Sequence, residues 1–390
     1  MTIDVARARA DTPGVEHVAH LNNAGAALSP EPVLDAVFEH LRREAQIGGY
    51  EAKAEREDRI EHSYDAIARL IGCERDEIAI VENATRAWDM AFYSLKLQPG
   101  DRILTTHAEY ASNYIALRHV ADRTGAAVVV VPDDEHGQVD VAALESMLDE
   151  RVKLVSLVHV PTQGGLVNPA AAVGAVTRAA GVPLLLDACQ SVGQMPIDVG
   201  AIGCDMLSAT GRKFLRGPRG TGFLYVRRDL IEGLEPPLLD LHAAEWQADG
   251  SYVIRPDARR FENWETNYAT KIGLGVAVDY ALEWGLEAIR SRVNALAADL
   301  RRQLDATPGV TVHDRGEELC ALVTFSVAGH STEAVVDALG GDHINVSLSP
   351  GIHSRLDLAR RGLESVVRAS PHYYNEPAEL DRLAERVARL

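Results

Sequence analysis

Three short runs in this 390-residue chain are apolar at nearly every position: "AAVVVV" at 126–131, "VKLVSLV" at 152–158 and "PLLLD" at 183–187. A strand with one wet face alternates apolar and polar residues, so runs like these need cover on both faces. Helical patterns stand between them, in "SNYIALRHVADRTG", "DVAALESMLDE" and "PAAAVGAVTRAAG". Parallel neighbours require long crossovers, and this alternation predicts a mostly parallel α/β sheet flanked by helices. "EIAIVENATRAWDMAFYSL" reads as strand, turn and helix, and "CDMLSAT" and "GTGFLYV" close the series. Earlier, "PEPVLDAVFEHLRREAQ" and "DRIEHSYDAIARLIG" carry apolar residues at helical spacing, with Gly72 as a stop.

After about Lys271 the pattern changes. A long helical stretch broken at Gly285 leads into the strands "VTVHD" and "CALVTFSV", and "PAELDRLAERVARL" is a terminal helix. This predicts a second, smaller α+β unit, as expected for a chain too long for one small core.

Composition narrows the partners. The net charge of −18 argues against a nucleic acid, whose phosphates need basic faces. No run reaches membrane-spanning length, and "MTIDVARARADTPG" has no apolar signal core, so a cytoplasmic location is the expectation. Cys73, Cys189, Cys204 and Cys320 stand far apart, which argues against a disulfide framework and against a metal site.

Against that acidic background, "LSATGRKFLRGPRGTGFLYV" at 207–226 gathers Arg212, Lys213, Arg216 and Arg219 among glycines and a proline. The loop is expected to hold an anion. Asp187 ends the preceding apolar strand, so adjacent strand ends bring Asp187 and Lys213 into one crevice, where ligands of such sheets collect. A lysine there can form a Schiff base with an aldehyde cofactor, and a carboxylate can keep a pyridine nitrogen protonated. A phosphate would take Thr85 and the helix amides of "NATR", with Thr210 and Arg212 of "TGRK". Singly these residues are ordinary: an Asp at a strand end usually caps a turn, and a loop lysine is usually solvated. Their ordered combination carries the reading.

The stretch "LLLDACQSVGQMPIDVGAIGCDMLSATGRKFLRGPRGTGFLYV" resembles the class V aminotransferase group of fold-type I pyridoxal-phosphate enzymes. The group includes cysteine desulfurases, isopenicillin N epimerase-like proteins and hercynylcysteine sulfoxide lyase. The likeness extends from "LNNAG" to "VRASPHYYNEPAELDRL". It implies a segment 1–28 packed on the small domain, a large cofactor-binding domain 29–271 and a small domain 272–390. It makes pyridoxal 5'-phosphate the cofactor and Lys213 the Schiff-base lysine. Asp187 would meet the pyridine nitrogen and Gln190 the ring hydroxyl. Thr85, Arg86, Thr210 and Arg212 would hold the phosphate, although relatives often have histidine where Arg212 stands. Tyr110 would stack on the ring, and Thr162 would lie near its hydroxyl. Arg368 would grip the substrate carboxylate, with Asn23 and Tyr50 lining the substrate space. Thr266, in "FENWETNYA", would reach the phosphate of a partner subunit in a homodimer.

Desulfurases of this group carry a nucleophilic cysteine shortly before the "RAS" motif. Here "INVSLSPGIHSRLDLARRGLESVVRAS" has none, and Ser347 replaces an arginine common in desulfurases. Cys189 and Cys320 read as small core residues. His353 is a candidate second acid or base. The expected enzyme acts on an amino acid through a lysine aldimine and quinonoid, as a β-eliminating C–S lyase without a persulfide cysteine. Epimerisation and transamination stay open, as does a non-enzyme sensor on the same fold, against which Lys213 and Asp187 speak.

Overall fold

In chain order the strands begin with β1 (Ala19–His20), β2 (Ile78–Val81), β3 (Arg102–Thr106), β4 (Ala127–Val131) and β5 (Val152–Val158). β6 (Leu184–Asp187), β7 (Met206–Thr210), β8 (Gly222–Val226), β9 (Ala244–Trp246) and β10 (Tyr252–Ile254) follow. The last are β11 (Val310–Val312), β12 (Val323–Val327), β13 (Ile344–Asn345), β14 (Ser347–Pro350) and β15 (Ser365–Ala369). These elements come from a computed structural model, which describes residues 2–390.

A seven-stranded sheet in the order β2-β8-β7-β6-β5-β3-β4 forms the large lobe. Strands β3 to β7 run parallel, and β8 is antiparallel to both β7 and β2. The apolar runs fill both faces. Leu184 and Leu186 join a core with Ile67, Val173 and Phe223 on one side. Leu185, between them, packs with Trp88, Phe92 and Phe261 on the other. Full burial of each such leucine contributes about 2 kcal/mol. One strand departs from expectation: β4 is the sheet edge, so Val128, Val129 and Val130 are only half-buried and Val131 alone is buried, although its sequence reads as fully covered. Among the described residues no helix is long and apolar enough to cross a membrane.

The small lobe is an antiparallel sheet, β11-β12-β15-β14, packed against the helices Leu286–Asp305 and Pro377–Val387. Gly285, at φ +81°, separates the helix Tyr268–Trp284 from Leu286–Asp305 in a backbone region that a Cβ would strain. The N-terminal segment ties the lobes together. β1 pairs in parallel with β13, and Leu21 is buried in the small-lobe core.

Arg216 is the second tie. Its side chain is 1% exposed, and it donates to Leu28 O at 2.9 Å, to Tyr373 Oη at 2.8 Å and to Thr12 Oγ1 at 2.5 Å. Its guanidinium lies 4.5 Å from the Tyr374 ring centre. The aromatic faces replace a carboxylate as the partner of this buried cation. Part of the positive charge in the basic loop is therefore structural.

Candidate functional site

The carboxyl ends of β5, β6 and β7 open into a cleft of about 540 Å³, an ordinary size for a small-molecule site. Thr85, Tyr110, Thr162, Asp187, Gln190, Thr210, Arg212, Lys213 and Arg368 all line it. The sheet register explains the gathering. Asp187 pairs with Val158 on one side and Ser208 on the other, and Thr210 pairs with Gly222. Gly222 lets the helix Ala84–Phe92 begin against the sheet. A Cβ there would come within 2.7 Å of the Asn83 carbonyl carbon and 2.9 Å of Ala84 N. Asn83 caps that helix by accepting from Arg86 N at 2.9 Å, and the first amides face the cleft end, where anions are favoured.

Each polar group on the floor has a defined orientation. Asp187 Oδ2 accepts from Asn113 Nδ2 at 2.9 Å, and Oδ1 accepts from Cys189 N at 3.0 Å. Thr162 Oγ1 accepts from Gln190 Nε2 at 3.0 Å and from Arg368 Nη1 at 2.7 Å. With both acceptor positions used, its O–H is left to donate. Lys213 is recessed enough that burial pushes its amine down from the usual lysine range, aided by Arg212 and Arg368 and opposed by Asp187.

The wall from the small lobe is cationic. Arg368 is 6% exposed and donates to Thr162 O at 2.8 Å and to Asn22 Oδ1 at 3.3 Å. It makes no ion pair among the described residues. Burial, then the neighbouring Arg212, lowers its pKa to about 10. A guanidinium buried without a counter-ion calls for an anion. Arg368 Nε and Gln190 Oε1 are also buried without partners among the described residues. An open donor, an open acceptor, an unmatched buried cation and a recessed lysine amine fit pyridoxal phosphate together with a carboxylate-bearing substrate.

Four expected residues lie elsewhere. Asn23 is fully buried, donating to His20 O and Ser370 O and accepting from Tyr374 Oη, so its side chain has nothing left for a ligand. Its neighbour Asn22 meets Arg368 instead. Tyr50 is 71% exposed on the short helix Gly49–Glu55, away from the cleft. Arg86 turns outward to donate to Asn263 Oδ1 at 3.0 Å. Thr266 lines a separate pocket with Glu82, Asn263 and Lys271, and its segment hangs on the buried Glu262. Burial alone would push Glu262 up, but Lys271, His242 and the Ile80 N–H hold it at about 2.

Two corrections concern groups outside the expected set. Cys189, expected in the core, stands in the cleft wall. Asn113 and Glu109 were not singled out above: Asn113 lines the cleft beside Asp187, and Glu109 holds Asn113 from outside the lining. Their signal in the sequence was a Glu and an Asn four apart where a helix opens after a strand. His353 is exposed and does not line the cleft.

A sheet with its cleft at the strand ends, a lysine and a carboxylate at the ends of adjacent strands and a second lobe contributing Arg368 define a fold-type I pyridoxal-phosphate enzyme. Residues 19–383 match the family model for class V aminotransferases, and the chain belongs to that family. It is 31% identical over 408 residues to a probable cysteine desulfurase of Halobacterium salinarum, covering 99% of this chain and 96% of the relative. A probable cysteine desulfurase of Methanothermobacter thermautotrophicus is 28% identical over 388 residues, covering 98% and 97%. The apo structure of a cysteine desulfurase from Thermococcus onnurineus NA1 superposes with a TM-score of 0.92 at 26% identity, covering 100% and 98%. The protein is a pyridoxal-phosphate-dependent enzyme of the class V group.

Proposed function

We propose that this enzyme cleaves a C–S bond of an amino acid by β-elimination, without passing sulfur to a cysteine of its own. Bound pyridoxal phosphate supplies an electron sink for charge developing at the substrate Cα. Lys213 would be the attachment point of the cofactor, and its free amine is the group placed to take the Cα proton of a bound substrate. Burial favours its neutral form, which that step needs. Asp187 would hold a proton at the ring nitrogen, Gln190 and Thr162 would meet the ring hydroxyl, and Tyr110 would lie over the ring. Thr85, Thr210 and the amides that open the helix Ala84–Phe92 hold the phosphate, with Arg212 beside them. Arg368 takes the substrate carboxylate as a fork.

The observation that carries the reading is the state of the thiols. Residues 344–370, the segment that brings Arg368 to the cleft, contain no cysteine. Cys189 alone of the four reaches the cleft, and burial, then the Asp187 carboxylate, pushes its thiol up to about 12. At pH 7.5 roughly one molecule in 10⁴–10⁵ would carry the thiolate. Sulfur transfer to a cysteine needs that thiolate. The relatives are named desulfurases, and this departure is what supports reading the chain apart from that chemistry.

The test is a panel of cysteine S-conjugates, their sulfoxides and free cysteine, with the wild type and a variant in which all four cysteines are alanine or serine. A keto acid from an S-substituted substrate, with turnover of the variant within about tenfold of the wild type, is expected; tenfold is about 1.4 kcal/mol of barrier. Alkylation of Cys189 by iodoacetamide should rise about tenfold per pH unit from pH 7 to 11, since thiolate is the reactive form and its fraction grows until the pKa. Loss of activity in a single, folded cysteine variant would restore the persulfide route. Deuterium at Cα without keto acid would assign epimerisation, and accumulation of the pyridoxamine form would assign transamination.

A further inference from the structure

Glu109 is 2% exposed, and its carboxyl group receives four hydrogen bonds. Oε2 accepts from Thr105 Oγ1 at 2.7 Å and Ser156 Oγ at 2.8 Å. Oε1 accepts from Tyr110 N at 2.8 Å and Asn113 Nδ2 at 2.9 Å. The same Asn113 nitrogen reaches Asp187 Oδ2 at 2.9 Å, so its two hydrogens bridge two carboxyl groups.

We infer that Glu109 is a positioning residue, which acts through the Asn113 amide to fix the orientation of Asp187 beneath the cofactor ring. The inference rests on the reading above that Asp187 meets the ring nitrogen. The Tyr110 N–H can only donate, so Oε1 accepts from it, and the two hydroxyls at Oε2 are the groups free to take the partner role if Glu109 is protonated; the Asn113 NH₂ is then the end that suits Oε1. Burial pushes Glu109 up, opposed by its four donors, and any proton it takes sits on Oε2, where two hydroxyls can rotate to receive it. Asn113 therefore stays with its NH₂ toward both carboxyl groups. Turned over, its carbonyl oxygen would face Asp187 Oδ2, acceptor against acceptor. With Asn113 on Oδ2 and Cys189 N on Oδ1, the carboxylate plane is set from both sides.

The test compares Glu109→Gln, Glu109→Leu and Asn113→Leu in the holoenzyme. The readouts are the ¹⁵N signal of ring-labelled pyridoxal phosphate, the visible absorption band, and kcat and KM separately. Glutamine can keep an acceptor oxygen toward Asn113 and Tyr110 N while the two hydroxyls turn to accept from its NH₂. Glu109→Gln should stay within about threefold of the wild type in kcat with its ¹⁵N signal unmoved. Glu109→Leu and Asn113→Leu should each shift the ¹⁵N signal and lower kcat about a hundredfold, as expected for a misoriented catalytic group, with KM changing less. The double leucine variant should be no worse than either single, because both remove one arrangement. Asn113→Leu leaves Glu109 three of its donors and serves where Glu109→Leu fails to fold. A wild-type ¹⁵N signal and kcat in Asn113→Leu, or Glu109→Gln as impaired as Glu109→Leu, would overturn the inference. Asp187→Ala is the separating control: unchanged signal and turnover there would refute the role of Asp187 itself.

Discussion

The floor of the cleft and its small-lobe wall are built on different principles. The floor places Asp187, Gln190, Thr210 and Lys213 on or just beyond neighbouring strands of one sheet, and short hydrogen bonds orient its acceptors from both sides. The wall takes Arg368 from a different sheet and holds it through Thr162 of the large lobe and Asn22 of the N-terminal segment. The segment 351–364 before β15, a short 3₁₀ helix followed by turns, lies off the cleft, with Ile352 59% exposed. The difference separates two questions. The rigid floor decides that carbanion chemistry is available at all. The composite wall bears on which amino acid enters.

Breaking the floor should have the largest effect. Lys213→Ala should abolish borohydride trapping of the cofactor on the chain and lower turnover by at least about 10⁴-fold, since it removes both the attachment point and the base. Peptide mapping of the trapped adduct checks this, and label on another lysine refutes it. Breaking the wall should cost less and show elsewhere. Arg368→Leu should lower kcat/KM by about 10²–10³-fold, chiefly through KM, because a desolvated carboxylate loses a charged, forked partner. An unchanged KM would remove Arg368 from the substrate. The rim formed by 262–269 gives the smallest and sharpest contrast. We propose that Thr266 reaches the phosphate of a second copy. Thr266→Val should then weaken cofactor retention a few-fold, by about 1 kcal/mol for one lost hydrogen bond. Wild-type protein should sediment as a dimer at micromolar concentration. A monomer with full cofactor occupancy would refute the pairing.

Floor and wall also differ in how far the sequence exposes them. Asp187 and Lys213 share one continuous motif, and the apolar runs before them force parallel strands whose ends coincide. Their meeting follows from topology alone. Nothing local distinguishes Asn22 from Asn23. Which of them reaches Arg368 is settled by a bridge to Ser370 and by Tyr374, both far along the chain. The charge of the basic loop was legible, but its division was not: Arg212 and Lys213 turn to the cleft while Arg216 turns to three distant tyrosines. Cys189 looked like core because it follows an apolar strand; its position two residues past the strand end puts it in the wall. Glu109 looked like the opening of a helix, and its role needs the strand bearing Asp187 beside it.

The tie between β1 and β13 has a consequence for how the chain is made. His20 and Asn345 are in contact yet 325 residues apart. A ribosome releases the first of them long before the second exists, so β1 waits through the synthesis of the whole large lobe without its neighbour strand. Arg216 waits likewise for Tyr373 and Tyr374. The sheet of the large lobe can form while translation continues, but the cleft gains Arg368 only once the small lobe has been made. Capture of the cofactor is thereby coupled to synthesis of the small lobe, and a chain cut before β15 keeps the lysine while lacking the cation across from it.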